Sequence, residues 1–124
     1  EDLYDKLDRA IQAARRGFAY LHIYSPCTTG WRFPSDQNIE VARMSVETNF
    51  ALLWEFDPQG GLRLTHAVDN PAPLAEYVKL LGKYRHLSEG QIAHIEATVA
   101  QNVKFVTGLA AGMPVAAARA GAAA

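Results

Sequence analysis

The sequence predicts an α/β protein in which helices flank a short series of strands and a long helix follows them. Apolar residues recur at steps of three and four near both ends of the 124-residue chain, which is typical of amphipathic helices. Short apolar runs bounded by glycine, proline or aspartate lie between these stretches and are typical of strands. This order suits the closing part of an α/β sheet more than a complete fold.

The N-terminal third is expected to form a helix, a strand and a loop. Asp2 can cap a helix that runs to about Arg16, and Gly17 follows its last turn. Phe18 to Tyr24 is a short, mostly apolar run that we expect to be a buried strand. Ser25 to Ser35 has no hydrophobic period and contains two prolines and a glycine, so it is predicted to be a loop.

The middle of the chain is expected to form a helix and a hairpin. Ser35 or Asp36 can cap a helix that extends to about Asn49. Phe50 to Phe56 is predicted to be a second strand. Turn-forming residues follow it, and they allow the alternating segment Leu62 to Ala67 to pair with it as a hairpin.

Two helices are expected in the C-terminal part. Leu74 to Leu81 predicts a short helix. Ser88 and Gln91 have the spacing of a capping box. The apolar stripe after it predicts a long amphipathic helix, and its members are Ile92, Ile95, Val99, Val103, Val106 and Ala110. We expect residues 1–112 to form one domain and the Ala-rich tail, residues 113–124, to be disordered.

The composition excludes several classes of function. The formal net charge is −1, without the basic excess that binds nucleic acid or an anionic membrane, so neither is expected as a partner. No apolar run approaches the roughly 20 residues of a membrane span. One cysteine allows no internal disulfide and fits a reducing compartment, with the cytoplasm as the expected location.

The loop around Cys27 is the segment with the clearest potential for chemistry. Cys27 follows the carboxyl end of the predicted first strand, the edge at which open α/β sheets bind ligands. Pro26 restricts the backbone before the thiol, and Gly30 allows the chain to approach a ligand closely. Thr28 and Thr29 add hydroxyls and backbone amides. A thiolate in this loop is able to ligate a metal or an iron–sulfur cluster.

The residues alone leave three interpretations of Cys27. A lone cysteine is most often a small buried apolar side chain, and that interpretation leads. A Cys–His nucleophile is the second, although His22 has an unsuitable spacing on the predicted strand. A cluster ligand is the third. Since a [4Fe–4S] cluster takes about four cysteines, the others would have to come from outside this chain.

A resemblance to a known family extends over roughly residues 2–105. The segments that carry it are Tyr24–Trp31 (YSPCTTGW), Ile39–Arg43 (IEVAR), Val46–Thr48 (VET), Leu53–Glu55 (LWE), Pro73–Tyr77 (PLAEY) and Gly82–Leu87 (GKYRHL). Together they resemble the C-terminal part of the beta subunits of pyruvate synthase and related 2-oxoacid:ferredoxin oxidoreductases, including the phenylglyoxylate dehydrogenase branch. Thr28 stands where the family commonly has proline, a difference that leaves the cysteine intact.

The resemblance implies a fold and cofactors. The fold is the C-terminal portion of a thiamine-diphosphate-binding-type parallel or mixed sheet flanked by helices. Cys27 is implied to be the fourth ligand of the [4Fe–4S] cluster nearest the thiamine diphosphate, with Thr28, Thr29 and Gly30 around the cluster and thiamine site. No catalytic residue is implied. The chain lacks the other three cysteines and the Gly-Asp-Gly segment for Mg²⁺ and the pyrophosphate, so the remaining beta subunit or other subunits are expected to complete both cofactors.

The implied function is that of a component of a 2-oxoacid oxidoreductase, inactive as this chain alone. Such enzymes oxidatively decarboxylate pyruvate or a related 2-oxoacid, aryl acids included, to an acyl-coenzyme A. Electrons pass through the cluster to ferredoxin, or to NAD through a flavin subunit. The alternative is a non-catalytic oligomerisation or interaction module of the same fold. A small cysteine-dependent enzyme is the third hypothesis.

The other polar and aromatic candidates are expected to be structural. Trp31 and Phe33 should pack the loop, and Arg32 should be solvated or salt-bridged. Arg43 and Glu47 have the spacing of a surface ion pair on a helix. Metal-ligand spacing is absent among the three histidines His66, His86 and His94. A solvated basic face is expected for Lys79, Lys83 and Arg85.

Overall fold

The fold is known from a computed structural model that describes residues 2–112, so the predicted tail at 113–124 lies outside the described residues. The elements in chain order are helix α1 (Asp2–Ala14), the short helical turn α2 (Thr28–Trp31), a first 3₁₀ turn (Ser35–Gln37), helix α3 (Asn38–Glu47), strands β1 (Leu53–Asp57) and β2 (Gly61–His66), helix α4 (Leu74–Leu80), a second 3₁₀ turn (Gly82–Tyr84) and helix α5 (Glu89–Gly112). The predicted α/β class is confirmed, with a small antiparallel sheet, helices and a long C-terminal helix.

Helices α3 and α4 build the core. Leu74, Tyr77, Val78 and Leu81 recur at the helical spacing that places them on one face, and all four are buried. Their counterparts from α3 and the preceding loop are Val41, Met44 and Phe33. Full burial of one large apolar side chain contributes about 1.5–3 kcal/mol to the stability of the fold. This cluster therefore holds together α3, α4 and the loop that contains Phe33.

Strands β1 and β2 form the predicted hairpin. Their antiparallel register pairs Phe56 with Leu62 and Asp57 with Gly61. Oδ1 of Asp57 accepts hydrogen bonds from the backbone N–H groups of Gln59 (2.7 Å) and Gly60 (3.0 Å), and these bonds lower the pKa of that carboxyl. The turn closes at Gly61, whose φ of 75° favours glycine.

The first strand of the hairpin begins at Leu53, three residues later than predicted. The predicted start is wrong because the intervening residues close the end of α3. The backbone N–H of Ala51 donates to the carbonyl of Ser45 (2.8 Å), and Asn49 adopts a left-handed φ of 57°. Phe50 turns inward and packs on Tyr77, with ring centroids 5.0 Å apart.

Helix α5 confirms both predictions made for it. The backbone N–H of Gln91 donates to the hydroxyl of Ser88 (3.3 Å), and the amide oxygen of Gln91 accepts from the backbone N–H of Ser88 (2.9 Å). All six members of the predicted stripe are half-buried. Three of them, Ile92, Ile95 and Val99, pack against the core. Among residues 2–112, no helix combines the length and apolar character needed to cross a membrane.

Two predictions about the N-terminal half are wrong. Phe18 to Tyr24 has no regular secondary structure and is not buried, since Phe18 is 89% exposed and Tyr20 is 74% exposed. A strand needs a neighbour for its backbone groups, and both strands among residues 2–112 pair only with each other. Ser35 and Asp36 do not cap α3 with their side chains. They lie within the first 3₁₀ turn, which leads directly into the helix.

Candidate functional site

The segment after the exposed residues forms a tight turn that begins at Cys27. Cys27 is extended (φ −107°, ψ 109°) and occupies the N-cap position of α2, and its carbonyl accepts from the backbone N–H of Trp31 (2.9 Å). Arg32 ends the turn in a left-handed conformation with φ of 57°. The backbone N–H of Phe33 then returns to the carbonyl of Thr28 (3.2 Å). The predicted loop therefore contains a compact turn of defined shape.

The thiol of Cys27 is exposed, so the interpretation of a buried apolar cysteine is wrong for this structure. Its Sγ accepts a hydrogen bond from the backbone N–H of Gly30 at 3.3 Å. A Cβ added at Gly30 would lie 3.3 Å from the same sulfur, which is a tight contact. Glycine therefore lets the amide approach the sulfur, an arrangement that suits a thiolate because the N–H dipole stabilises negative charge there.

Cys27 has no histidine partner among the described residues. His22 faces Tyr20, with ring centroids 6.4 Å apart. No hydrogen bond joins His22 to the thiol within residues 2–112, which argues against the cysteine–histidine nucleophile. No group of three or more histidine, cysteine or acidic side chains in that range is arranged to hold a metal ion by itself. A metal or cluster bound at Cys27 therefore needs ligands from elsewhere.

The chain before Cys27 is attached to helix α4 through a pair of tyrosines. The hydroxyls of Tyr24 and Tyr77 lie 2.6 Å apart. Tyr77 is completely buried, whereas Tyr24 is 39% exposed. Burial and the hydrogen bond with Tyr24 raise the pKa of Tyr77 far above its usual range, and burial is also the main cause of the raised pKa of Tyr24. Both hydroxyls therefore stay protonated at neutral pH.

The chain after Cys27 is attached to the residues that follow α4. The backbone N–H of Gly82 donates to the carbonyl of Arg32 (3.1 Å). A Cβ at Gly82 would clash with that carbonyl oxygen and would lie 2.8 Å from the Cβ of Arg32. The ammonium of Lys83 lies over Trp31, 4.1 Å from the ring centroid. We call residues Tyr77 to Lys83 the α4 corner.

The remaining predicted residues behave largely as expected. Phe33 is buried, Trp31 packs against the core and Arg32 is exposed. Arg43 forms the predicted ion pair with Glu47 and a second one with Glu40 at 2.6 Å. Thr28 is half-buried, whereas Thr29 and Gly30 are exposed beside the thiol.

The α4 corner was not predicted to be part of the site. Lys83 was assigned to a solvated basic face, but its ammonium contacts the rings of Trp31 and Tyr84. The signal was present in the sequence, because the segments at residues 73–77 and 82–87 belong to the same resemblance as the Cys27 segment. Their proximity to Cys27 depends on tertiary packing, which sequence spacing does not show.

Two hollows lie away from the thiol. One, of about 330 Å³, lies between α1 and the hairpin and is lined by Asp2, Asp5, Arg9 and Arg63 among others. The other, of about 600 Å³, lies between α5 and the segment from Thr48 to Leu74. Neither is lined by Cys27 or its neighbours in the turn.

Comparison with known proteins shows that the chain is similar to part of several subunits of 2-oxoacid oxidoreductases. NADH-dependent phenylglyoxylate dehydrogenase subunit beta of Aromatoleum evansii is 60% identical over 106 residues, which are 86% of this chain and 24% of that protein. Pyruvate synthase subunit PorB of Methanocaldococcus jannaschii is 32% identical over 106 residues, 86% of this chain and 35% of the relative. Ketoisovalerate oxidoreductase subunit VorB of Pyrococcus furiosus is 30% identical over 100 residues, which are 80% of this chain and 32% of that protein. No family model matches.

These relatives confirm the resemblance seen in the sequence. The chain is homologous to the C-terminal part of the phenylglyoxylate dehydrogenase and pyruvate synthase beta subunits. It spans 24% of the length of the first relative and 35% of the second. About two thirds or more of each relative therefore has no counterpart in this chain.

Proposed function

We propose that this chain is the C-terminal part of the thiamine-diphosphate-binding beta subunit of a 2-oxoacid oxidoreductase, in which Cys27 ligates a [4Fe–4S] cluster. The observation that carries the proposal is an exposed thiol, held in a tight turn beside a backbone N–H, in a chain 60% identical to such a beta subunit. Catalysis requires the rest of the beta subunit and other subunits, and we place the complex in the cytoplasm, where an unpaired cysteine stays reduced.

The residues around Cys27 fit an iron–sulfur cluster. A cysteine that ligates a cluster must be accessible to the metal before assembly, and Cys27 is exposed. N–H groups that point at the sulfur stabilise such a ligand, and the backbone N–H of Gly30 points at Sγ of Cys27. Thr28 and Thr29 supply further hydroxyl and amide groups at the same turn. The chain has one cysteine, so three ligands come from outside it, as do the groups that hold Mg²⁺ and thiamine diphosphate.

The exposed segment before Cys27 supports the larger fold. Phe18, Tyr20 and Ile23 are large, exposed aromatic or aliphatic side chains on a stretch that has no regular secondary structure and no partner strand among the described residues. We infer that this stretch joins the parallel or mixed sheet of a thiamine-diphosphate-binding fold contributed by the preceding part of the beta subunit. Cys27 then lies at a strand terminus facing the cofactors.

An aryl 2-oxoacid is the favoured substrate. The relative named for phenylglyoxylate is 60% identical to the chain, whereas the relative named for pyruvate is 32% identical. The same comparison favours NAD, through a flavin subunit, over ferredoxin as the acceptor. When bound, thiamine diphosphate supplies the carbanion chemistry of decarboxylation and the cluster carries single electrons, while coenzyme A accepts the acyl group. In this proposal the chain contributes the cluster ligand Cys27 and the turn that holds it.

The decisive experiment is anaerobic purification of the native complex with wild-type Cys27, Cys27→Ala and, as the matched control, Ser25→Ala. The wild type should co-purify with further subunits, absorb as an iron–sulfur protein and reduce NAD⁺ with phenylglyoxylate and coenzyme A faster than with pyruvate. Cys27→Ala should lose about one [4Fe–4S] cluster per beta subunit, and Ser25→Ala should keep it. A colourless, stable oligomer indifferent to both changes would instead support a non-catalytic interaction module.

Hydrogen exchange tests the sheet separately. Backbone amides of residues 18–24 should exchange quickly in the isolated chain, because they have no strand partner there. In the full complex the same amides should be strongly protected. The amides of the β1–β2 hairpin serve as the internal control, since they are paired in both states. Rapid exchange of residues 18–24 within the assembled complex would contradict the proposed sheet.

A further inference from the structure

We propose that the α4 corner is the positioning element of the cluster ligand, because it holds the Cys27 turn from both sides and so fixes the N–H···S contact that tunes the cluster. The inference rests on the proposed role of Cys27 as a ligand. It goes beyond that role by assigning a function to Tyr77, Gly82 and Lys83, none of which needs to touch the cluster.

The attachments lie on opposite sides of the ligand. Tyr24 precedes Cys27 by three residues and binds the hydroxyl of Tyr77, whereas Arg32 follows Cys27 by five residues and binds the N–H of Gly82. The two anchors belong to one short segment of the core. A loop closed at both ends on one rigid base has few conformations left, which fixes the direction in which its central side chain points.

The base of this clamp is buried in the core. Tyr77 and Leu81 are completely buried, and Val78 is nearly so. The turn α2 has no buried residue of its own. Its shape therefore depends on its attachments more than on its own packing. Changes in the α4 corner should consequently reach the Cys27 sulfur without unfolding the turn.

One contact within the turn acts on the charge of the sulfur. The N–H of Gly30 points at Sγ, and hydrogen bonds to cluster sulfurs raise the reduction potential. The ammonium of Lys83, held over Trp31, is a further attachment of the turn to the α4 corner. Loosening the clamp lengthens the N–H···S contact, and this loss disfavours the reduced, more negative cluster.

Gly82→Ala is the sharpest test, because its methyl group would be driven into the backbone of Arg32. Gly108→Ala is the matched control, since a Cβ there meets nothing within 4 Å. Tyr77→Phe tests the other anchor by removing only a hydroxyl, with Tyr4→Phe as its control on the exposed face of α1. Each variant is made in the complete complex and purified without oxygen. Iron content, a redox titration followed by electron paramagnetic resonance, and the g-values of the reduced cluster are measured.

We expect Gly82→Ala and Tyr77→Phe to retain the wild-type iron content and subunit composition, with shifted g-values and a more negative midpoint potential. The controls should match the wild type. If Gly82→Ala does not assemble, Tyr77→Phe decides the question. Wild-type potential and g-values in an assembled anchor variant would overturn the clamp while leaving Cys27 as a ligand. Retention of every cluster in Cys27→Ala would instead remove the proposed function, and the clamp with it.

Discussion

Removing either hydroxyl of the Tyr24–Tyr77 pair should destabilise the protein, but by different amounts. Tyr24→Phe leaves the hydroxyl of Tyr77 in a completely buried position without its partner, which costs about 1–3 kcal/mol. Tyr77→Phe leaves the hydroxyl of Tyr24 on a side chain that is 39% exposed, so no completely buried residue is left with an unpaired hydroxyl. The cost is then only the net value of the bond, about 0.5–1.5 kcal/mol.

Urea unfolding of the purified chain, followed by aromatic fluorescence, measures both costs. For a urea dependence of about 2 kcal/mol per M, a loss of about 2 kcal/mol in Tyr24→Phe lowers the midpoint by about 1 M. Tyr77→Phe should lower it by about half of that or less. The double variant should be less destabilised than the sum of the two, because it leaves no unpaired buried hydroxyl.

The exposed Tyr20 provides the control, because Tyr20→Phe removes a hydroxyl from a side chain that is 74% exposed. Its free energy of unfolding should stay within a few tenths of a kcal/mol of the wild-type value. The reasoning is refuted if Tyr77→Phe is as destabilising as Tyr24→Phe, or if the two costs simply add. Either result would mean that ring packing, not the shared hydrogen bond, attaches the Cys27 turn to α4.

Three further perturbations test other parts of the structure. Stability should fall as pH rises above about 10, the usual pKa of an unfolded tyrosine. Tyr24 and Tyr77 have raised pKa values when folded and lose their protons first in the unfolded chain. Leu81→Ala should cost about 2–5 kcal/mol in urea unfolding, because Leu81 is completely buried. Ser88→Ala should cost about 0.5–2 kcal/mol and increase amide exchange in the first turn of α5.

Matched variants separate these causes from general damage. The double Tyr24→Phe, Tyr77→Phe variant should flatten the alkaline slope, and an unchanged slope would assign it to other groups. Leu3→Ala removes a 42% exposed leucine and should cost much less than Leu81→Ala. Ser88→Gly should cost only a few tenths of a kcal/mol relative to the wild type, so an equal loss in Ser88→Ala and Ser88→Gly would contradict hydroxyl capping.

Local sequence rules recovered those elements whose partners lie close along the chain. The capping box at Ser88 and the stripe of α5 were predicted because both depend on residues three or four positions apart. The hairpin was predicted from its turn residues, although its first strand starts later than the apolar run at Phe50. The hydrogen bond from Ala51 to the end of α3 competes for that stretch, and the sequence pattern contains no sign of it.

The candidate site likewise contains a part that local sequence shows and a part that depends on contacts between distant residues. Cys27 was identified from its own loop, and its exposure agrees with a ligand, whose role remains a proposal. Its supports were missed, because Tyr77 and Gly82 lie some 50 residues further along the chain and reach the turn only after α4 has packed. A rule based on spacing within one element cannot find such contacts, whereas a resemblance that includes both segments can indicate them.

The failed strand prediction has a physical cause in the absence of a partner strand among the described residues. Phe18 and Ile23 are apolar and β-branched or aromatic, so they have the side chains of a buried strand but no neighbour to bury them within residues 2–112. The α4 corner nevertheless fixes the chain from Tyr24 to Arg32. The turn around Cys27 therefore keeps its shape without a strand partner for the residues that precede it, because its attachments are hydrogen bonds to α4 and to the residue that follows Leu81.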